Sequence, residues 1–438
     1  VFDGEKVLDG QAVLEEGGKV KRVAAAAEFA GFAGEKVDTS GGTLIPGLID
    51  CHVHSLSGAE GNPGVVQDRM TPAQLTVRGM EFMRNTLEGG ITAVRDCGGK
   101  DYIEFAIRDA YNQGRFLGPT MRCAGRMICM TGGHGNRTGR VADGVDEVVK
   151  AVREQVHAGS DLIKIMATGG VMTPGVNPED AHYSAEEMKA GISEARRFHK
   201  CCASHAQGAL GILNAVRGGI DSIEHGIFMT DECIKEMKER GVWLVPTLAA
   251  VKNILKGYDD GDRSIPDYVI DKARRVFDRH IASVKMYYKA GGKIAMGTDA
   301  GTPHNRHGEN ARELEYMCEI GISTRDSLFI STASAADLMR RRTELHAEHI
   351  KILADVDKKH SVRFPGIDLA THIEWTRFFG ADALIAATGA EIQLSQDKAF
   401  YVRPMPQESW PNHLDGDLIV MPPRQSFVKP GAYYETIF

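Results

Sequence analysis

His52 and His54 stand one residue apart at the end of an apolar run, Thr43-Leu44-Ile45-Pro46-Gly47-Leu48-Ile49-Asp50-Cys51. On a β-strand, residues i and i+2 point to the same face, so both imidazoles can reach one metal ion. A helix would set them roughly 200° apart, unable to share a ligand site. The Pro46-Gly47 pair favours a turn into a strand. Four more polar residues interrupt or end apolar runs in the same manner. They are Lys164 in Leu162-Ile163-Lys164-Ile165-Met166, His205 in Ser204-His205-Ala206, His225 in Ile223-Glu224-His225-Gly226 and Asp299 in Met296-Gly297-Thr298-Asp299.

Each has a plainer reading in isolation. A lone buried histidine is more often hydrogen-bonded structure than a ligand. Lys164 could reach water from an edge strand, and Asp299 could cap a helix or make a turn with Gly301. Taken together, one metal centre explains them better than independent accidents. Neutral imidazoles with a carboxylate make a borderline-soft site suited to Zn²⁺, with Mn²⁺, Co²⁺ or Ni²⁺ as substitutes. A lysine ammonium cannot bind a cation, but a deprotonated lysine that has reacted with CO₂ is a carbamate, an anionic ligand able to bridge two ions. Two ions roughly 3.5–4 Å apart can hold one hydroxide and then a developing oxyanion.

The elements that must position these residues follow from the alternation of patterns. At 438 residues the chain predicts one large domain with a smaller companion. Residues 1–42 read as a small β unit, with Gln11-Ala12-Val13-Leu14 and Lys19-Val20-Lys21-Arg22-Val23 flanking a Gly17-Gly18 turn. From Thr43, strands alternate with helices. The strands are expected over Leu44–His54, Ile91–Cys97, Thr120–Ala124, Asp161–Ala167, Cys201–Ala206, Asp221–His225, Trp243–Leu248 and Lys293–Asp299. Amphipathic helices are expected over Pro72–Leu87, Asp146–His157, Ser184–His199, Asp231–Arg240, Asp271–Ala290 and Thr324–Met339. Ser184 with Glu187 has capping-box spacing, and Pro72 suits a first helical turn. Eight such strands predict an α/β fold, a (β/α)₈ barrel whose active site is built at the C-terminal ends of the strands. His52, His54, His205, His225 and Asp299 all fall at such ends, with Lys164 inside the fourth strand.

Composition narrows the partners. Hydrophobic content of 42%, charged content of 25% and a net charge of −7 describe a globular chain without a basic surface for nucleic acid or an apolar run long enough for a membrane span. A small-molecule substrate and a homo-oligomeric assembly are expected. The eight cysteines form no C-x-x-C pair, and Val1 begins no recognisable signal peptide, so reduced thiols and a cytoplasmic location are expected.

The runs holding His52 and His54, Lys164, His205, His225 and Asp299 resemble the metal-ligand signature of the amidohydrolase superfamily. Thr131-Gly132-Gly133-His134-Gly135, Ala167-Thr168-Gly169-Gly170-Val171, Tyr183-Ser184 with Glu186-Glu187, and Ala300-Gly301-Thr302-Pro303 are similar to its prolidase-like and carboxypeptidase-like branch. The resemblance covers residues 1 to about 340 and implies a binuclear hydrolase of dipeptides or N-acyl amino acids. It implies that His52, His54 and Asp299 bind one divalent ion, Zn²⁺ first among candidates, and His205 and His225 the other. Lys164 would bridge them as its carbamate, and Asp299 would shuttle a proton from a bridging hydroxide that attacks the amide carbonyl. It also sets His134 near the substrate and makes Tyr183 a candidate partner for the substrate carboxylate, each weighed against a loop residue fixing backbone geometry. His304 and His307 read as exposed loop residues near the pocket. A hydrolase of cyclic amides is the alternative chemistry. A non-catalytic barrel has no need of Lys164 or Asp299.

After Met339 the resemblance falters. Arg340-Arg341-Arg342 leads into a charged helical run, Thr343–His360, whose His346 and His349 read as a solvated face. Asp415-Gly416-Asp417-Leu418-Ile419-Val420 is the nearest echo of a strand that would complete the small domain. The expected division is therefore 1–42 with roughly 341–438 as a small β domain, and 43–340 as the barrel.

Overall fold

The computed structural model describes residues 1–16, 19–34, 36 and 43–339, together with the backbone of five short strands between residues 361 and 436. The described residues fall into two compact units, one containing Val1–Leu48, Leu87–Thr92 and the short strands after residue 341, the other Ile49–Thr86 and Ala93 to residue 339.

In the first unit, β1 (Gln11–Glu16) pairs antiparallel with β2 (Lys19–Ala25), Gln11 opposite Ala25, with a register shift between Leu14 and Glu15. The expected Gly17-Gly18 turn lies outside the described residues.

The alternating pattern follows, nearly all of it in the second unit. Its strands are β3 (Leu48–Val53), β4 (Ile91–Asp96), β5 (Thr120–Cys123), β6 (Ile128–Cys129), β7 (Arg140–Val141), β8 (Leu162–Met166), β9 (Cys201–Ala206), β10 (Ser222–His225), β11 (Trp243–Val245) and β12 (Lys293–Ile294). They form two sheets, β3-β4-β5 and β12-β11-β10-β9-β8-β6-β7. Single backbone bonds join the sheets. Asp161 N donates to Cys123 O at 2.8 Å, while Cys51 N to Met296 O (2.8 Å) and Asp299 N to His52 O (2.7 Å) tie the segment after β12 back to β3. With β6 and β7 as a side branch, this order is consistent with a (β/α)₈ barrel. Every residue of β3, β4 and β8 is buried, as expected of parallel strands covered on both faces.

The helices are α1 (Pro63–Asp68), α2 (Pro72–Glu88), α3 (Ile103–Asn112), α4 (Gly144–Ala158), α5 (Ala185–Arg197), α6 (Ala209–Gly218), α7 (Asp231–Glu239), α8 (Leu248–Asp259), α9 (Asp267–Lys289), α10 (Arg312–Glu319), α11 (Thr324–Ser331) and α12 (Ala333–Leu338). The Ser184–Glu187 capping box starts α5 with both of its hydrogen bonds formed. Gly159 (φ +97°) ends α4 in the left-handed conformation that glycine adopts without a Cβ penalty.

The strands expected over Leu44–His54 and Lys293–Asp299 are shorter, Leu48–Val53 and Lys293–Ile294, so Asp299 lies on the segment beyond β12, and three further expectations change. The strand expected over Trp243–Leu248 stops at Val245, because Thr247 turns left-handed (φ +53°) and Leu248 begins α8. The helix expected over Thr324–Met339 breaks at Thr332 (φ −125°, ψ −90°) into α11 and α12. The third βα loop builds its own β6–β7 pair, which the sequence pattern did not suggest.

Toward the C-terminus, β13 (Ser361–Val362) pairs with β14 (Ile392–Gln393), and β15 (Val402–Met405), β16 (Leu418–Val420) and β17 (Tyr433–Thr436) form an antiparallel sheet in the order β15-β17-β16. Leu418-Ile419-Val420 is thus a strand. Arg340 to Arg342, the run Thr343–His360, His346 and His349 lie outside the described residues.

Candidate metal centre

The strand ends bring six of the expected residues to one place. Asp299 Oδ1 stands 3.2 Å from His54 Nε2 and 3.5 Å from His52 Nε2, and Lys164 Nζ lies 3.5 Å from His52 Nε2. His52 and His225 have ring centroids 5.2 Å apart, and His225 and His205 4.6 Å. Donor atoms of His52, His225 and Asp299 all lie within 4.8 Å of one another. Lys164 is 2% exposed on β8, which is flanked by β6 and β9, so it is no edge-strand lysine reaching water.

This donor set fits divalent ions. Buried Asp299 Oδ1 makes no well-formed hydrogen bond, so a charged oxygen faces the cluster without a proton donor of good geometry. Two ligands each about 2.0–2.1 Å from one ion at tetrahedral angles stand roughly 3.4 Å apart, which matches the 3.2 and 3.5 Å separations.

Partners outside the cluster fix which ring nitrogen of each imidazole is left for a ligand. His52 Nδ1 is 2.8 Å from Glu224 Oε2, His54 Nδ1 is 2.8 Å from Gly98 O, His225 Nδ1 is 2.7 Å from Thr247 Oγ1 and His205 Nε2 is 2.9 Å from Gly169 O. Metal-binding histidines characteristically engage their other nitrogen in this way. Glu224 in turn accepts from Arg95 Nη2 (2.8 Å) and Ser222 Oγ (2.6 Å), and Arg95 Nε donates to Cys51 O at 2.6 Å. Asp50 accepts from the backbone of His52 and Thr298 and from the side chains of Thr298 and Asn310, stitching β3 to the segment bearing Asp299.

Local backbone conformation completes the placement. His225 (φ +73°) and Asp299 (φ +61°) both adopt the left-handed region, uncommon for residues with a Cβ. Each such residue costs about 1–3 kcal/mol and persists where surrounding structure demands it, often at functional sites. A Cβ on Gly297 would collide with Val245 and crowd His52, which explains the glycine two residues before Asp299.

Burial lowers the imidazoles of His52 and His205 well below their ordinary range, and takes His225 and His134 down to about 3. They are neutral at pH 7, the form that ligates metals. Burial alone would raise the Asp299 carboxyl, but the His52 and His54 imidazoles hold it below the usual carboxylate range. His54, which burial would lower, is raised by the adjacent Asp299.

The cluster opens into a cavity of about 580 Å³ lined by His52, His54, Lys164, His205, His225 and Asp299. His134 lines it as well, its Nδ1 2.8 Å from Thr173 Oγ1 and its ring 4.4 Å from that of His205. Tyr183 requires a correction. It is 2% exposed, its hydroxyl donates to Ala142 O at 2.7 Å, and it does not line the cavity, so it cannot meet a substrate carboxylate there. His307 also departs from the expected exposed loop. It is buried, stacked on Phe82, with Nε2 3.0 Å from Ser57 O. His304 is half-buried and pairs with Asp262 at 2.6 Å. Glu224, Arg95, Asp50 and Thr247 were not singled out from the sequence. The available signal was a charged residue inside an apolar strand, as in Ile91-Thr92-Ala93-Val94-Arg95-Asp96.

Comparison with known proteins agrees with this architecture. Ochratoxinase from Aspergillus niger is 30% identical over 319 residues, which cover 67% of this chain and 64% of that protein, so the chain spans just under two thirds of that relative's length. The crystal structure of a Xaa-Pro dipeptidase with bound methionine in the active site superposes with a TM-score of 0.69 at 30% identity, covering 75% of this chain and 84% of that one. A prolidase complexed with N-methylphosphonate-L-proline gives a TM-score of 0.66 at 27% identity, covering 76% and 83%. Residues 43–348 match the profile of the amidohydrolase family, a span that holds every residue of the cluster, and the chain belongs to that family.

Proposed function

We propose that the protein hydrolyses the amide bond of dipeptides or N-acyl amino acids, releasing the C-terminal amino acid, at a binuclear metal centre. The observation that carries this reading is the convergence of four imidazoles, Lys164 and the orphaned Asp299 oxygen on one cavity. His52, His54 and Asp299 would hold one divalent ion, Zn²⁺ by donor type, and His205 and His225 a second. Lys164 would lie between them after its Nζ adds to CO₂, forming an N–C bond and releasing a proton. When bound, the ions supply hydroxide at neutral pH and polarise the carbonyl to be attacked.

The protein's own groups do the rest. Asp299, ionised at neutral pH, accepts on the carboxylate oxygen that does not face the ion the proton released as the nucleophile attacks, and returns it to the nitrogen of the leaving amine. Neutral His134, oriented by Thr173, presents Nε2 to the substrate as a hydrogen-bond partner. We read the small domain as residues 1–42 with roughly 341–438, and the protein as a cytoplasmic homo-oligomer acting on a small molecule. Among the described residues, no helix is long and apolar enough to cross a membrane.

The test is amine release from a panel of dipeptides and N-acyl amino acids, using Zn²⁺-loaded protein with bicarbonate present. Hydrolysis of one C-terminal class is the expected result. Silence across the panel with two metals bound per chain would overturn the substrate reading and turn attention to cyclic amides.

A further inference from the structure

Substrates of the class proposed above end in a free carboxylate, and Tyr183 is engaged elsewhere by Ala142. Among the described residues lining the cavity, the lysines and arginines are Lys164, which belongs to the metal centre, and Arg137. The cavity imidazole of His134 is already engaged, its Nδ1 2.8 Å from Thr173 Oγ1 and its ring against that of His205.

Arg137 lies in the third βα loop, between β6 and β7, with its side chain 48% exposed. Its stem packs on Gly64 near the start of α1, where a Cβ would stand 3.1 Å from Cδ and 3.4 Å from Nε. Asp68, the last residue of α1, accepts from Arg137 Nε at 2.8 Å, and from Nη2 on the same oxygen. Its other oxygen accepts from Lys100 at 2.8 Å. Two cations thus share one carboxylate, and the local charge is net positive. Asp68 engages one edge of the guanidinium and leaves Nη1 without a hydrogen-bond partner among the described residues. An arginine fork held along one edge still offers the other for bidentate recognition of a second carboxylate.

We infer that Arg137 binds the free carboxylate of the substrate at the rim of the cavity and selects acyl amino acids over their uncharged amides. This rests on the reading of the function given above. Asp68 orients the guanidinium, and the Gly64 contact sets where its stem runs.

The experiment compares kcat and KM for an N-acyl amino acid and its matching C-terminal carboxamide, in metal-loaded wild type, Arg137→Met and Arg137→Lys. The wild type is expected to prefer the acid. In Arg137→Met, KM for the acid should rise by about tenfold to a hundredfold, the loss of one charged hydrogen-bonding partner, so that the preference collapses. The effect should fall on KM, because the carboxylate is bound alike before and during reaction. Arg137→Lys, a point charge without the fork, should be intermediate. Unchanged metal content and melting temperature would show that the variants are folded. An Arg137→Met enzyme that keeps the wild-type preference overturns the inference, as does a wild type that cleaves acid and amide equally. A wild type that cleaves no acyl amino acid or dipeptide defeats the functional reading first, which separates the two failures.

Discussion

Replacing Glu224 by Gln keeps the shape of the side chain and removes its charge. Glu224 is 0% exposed and Arg95 4%, and their 2.8 Å contact lies beside the hydrogen bond that Glu224 accepts from His52 Nδ1. Two consequences follow separately. Removing one partner of a buried ion pair strands the other charge, which typically costs about 3–5 kcal/mol. Loss of a carboxylate behind a metal-binding histidine typically weakens metal affinity by about 10–100-fold. Glutamine can still accept from His52 Nδ1 through Oε1, but its amide then faces the Arg95 guanidinium with a donor, so both bonds cannot be kept. Urea unfolding with a chelator present isolates the first effect, and competition with a calibrated chelator measures the second. Destabilisation below about 1 kcal/mol would refute the buried-pair argument, at the scale of an exposed pair. Wild-type metal affinity in a variant that is clearly destabilised would refute the claim that Glu224 orients His52.

Lys164→Ala should lose both bound metal and activity, with partial recovery when short carboxylic acids replace the missing anion; full activity without them would exclude a bridging role. Asp299→Asn should lower kcat far more than it raises KM, and a change confined to KM in steady-state assays would move Asp299 to a binding role. Burial raises Glu313 to about 8 from its ordinary 4.5, though it accepts from the Leu248 and Ala249 amides at 2.7 Å. The folded chain therefore holds a proton there that the unfolded chain releases between about pH 4.5 and 8, so stability falls as pH rises through that window. Glu313→Gln should flatten that slope, and parallel urea midpoints from pH 5 to 8 in the two proteins would contradict it.

What the sequence made legible depended on how each segment is buried. The β9 boundaries, Cys201–Ala206, were expected as found, because a short apolar run between helices has few alternatives. The amphipathic helices α2, α4, α5, α7 and α9 were likewise visible in period. By contrast, α6 buries seven of its ten residues, Gly211 to Val216 and Gly218, and offers little polar face to define a period. At the start of α8, Leu248 continues the apolar texture of β11, so the sequence pattern carries the strand past Thr247. Tyr183 misled for a related reason. A polar aromatic beside a capping serine reads as a loop tip, and only the packing reveals its hydroxyl under Ala142.

The metal-binding candidates themselves were legible because a polar residue in an apolar run is conspicuous without any knowledge of its neighbours. Their partners were not, because each lies on a different strand or strand end. His52 on β3 is oriented by Glu224 on β10, which Arg95 on β4 holds. His54 is oriented by Gly98 beyond β4, His205 on β9 by Gly169 beyond β8, and His225 on β10 by Thr247 beyond β11. Every free ring nitrogen at the cluster is thus chosen by an element other than the one carrying the ring. A one-residue slip between two of these strands would turn the side chains of one strand to the opposite face and remove the partner as well as the ligand. The site is therefore a consequence of how the strands are registered. The same apolar runs that point to the strands point to the candidate ligands, while the choice of nitrogen comes only from the fold.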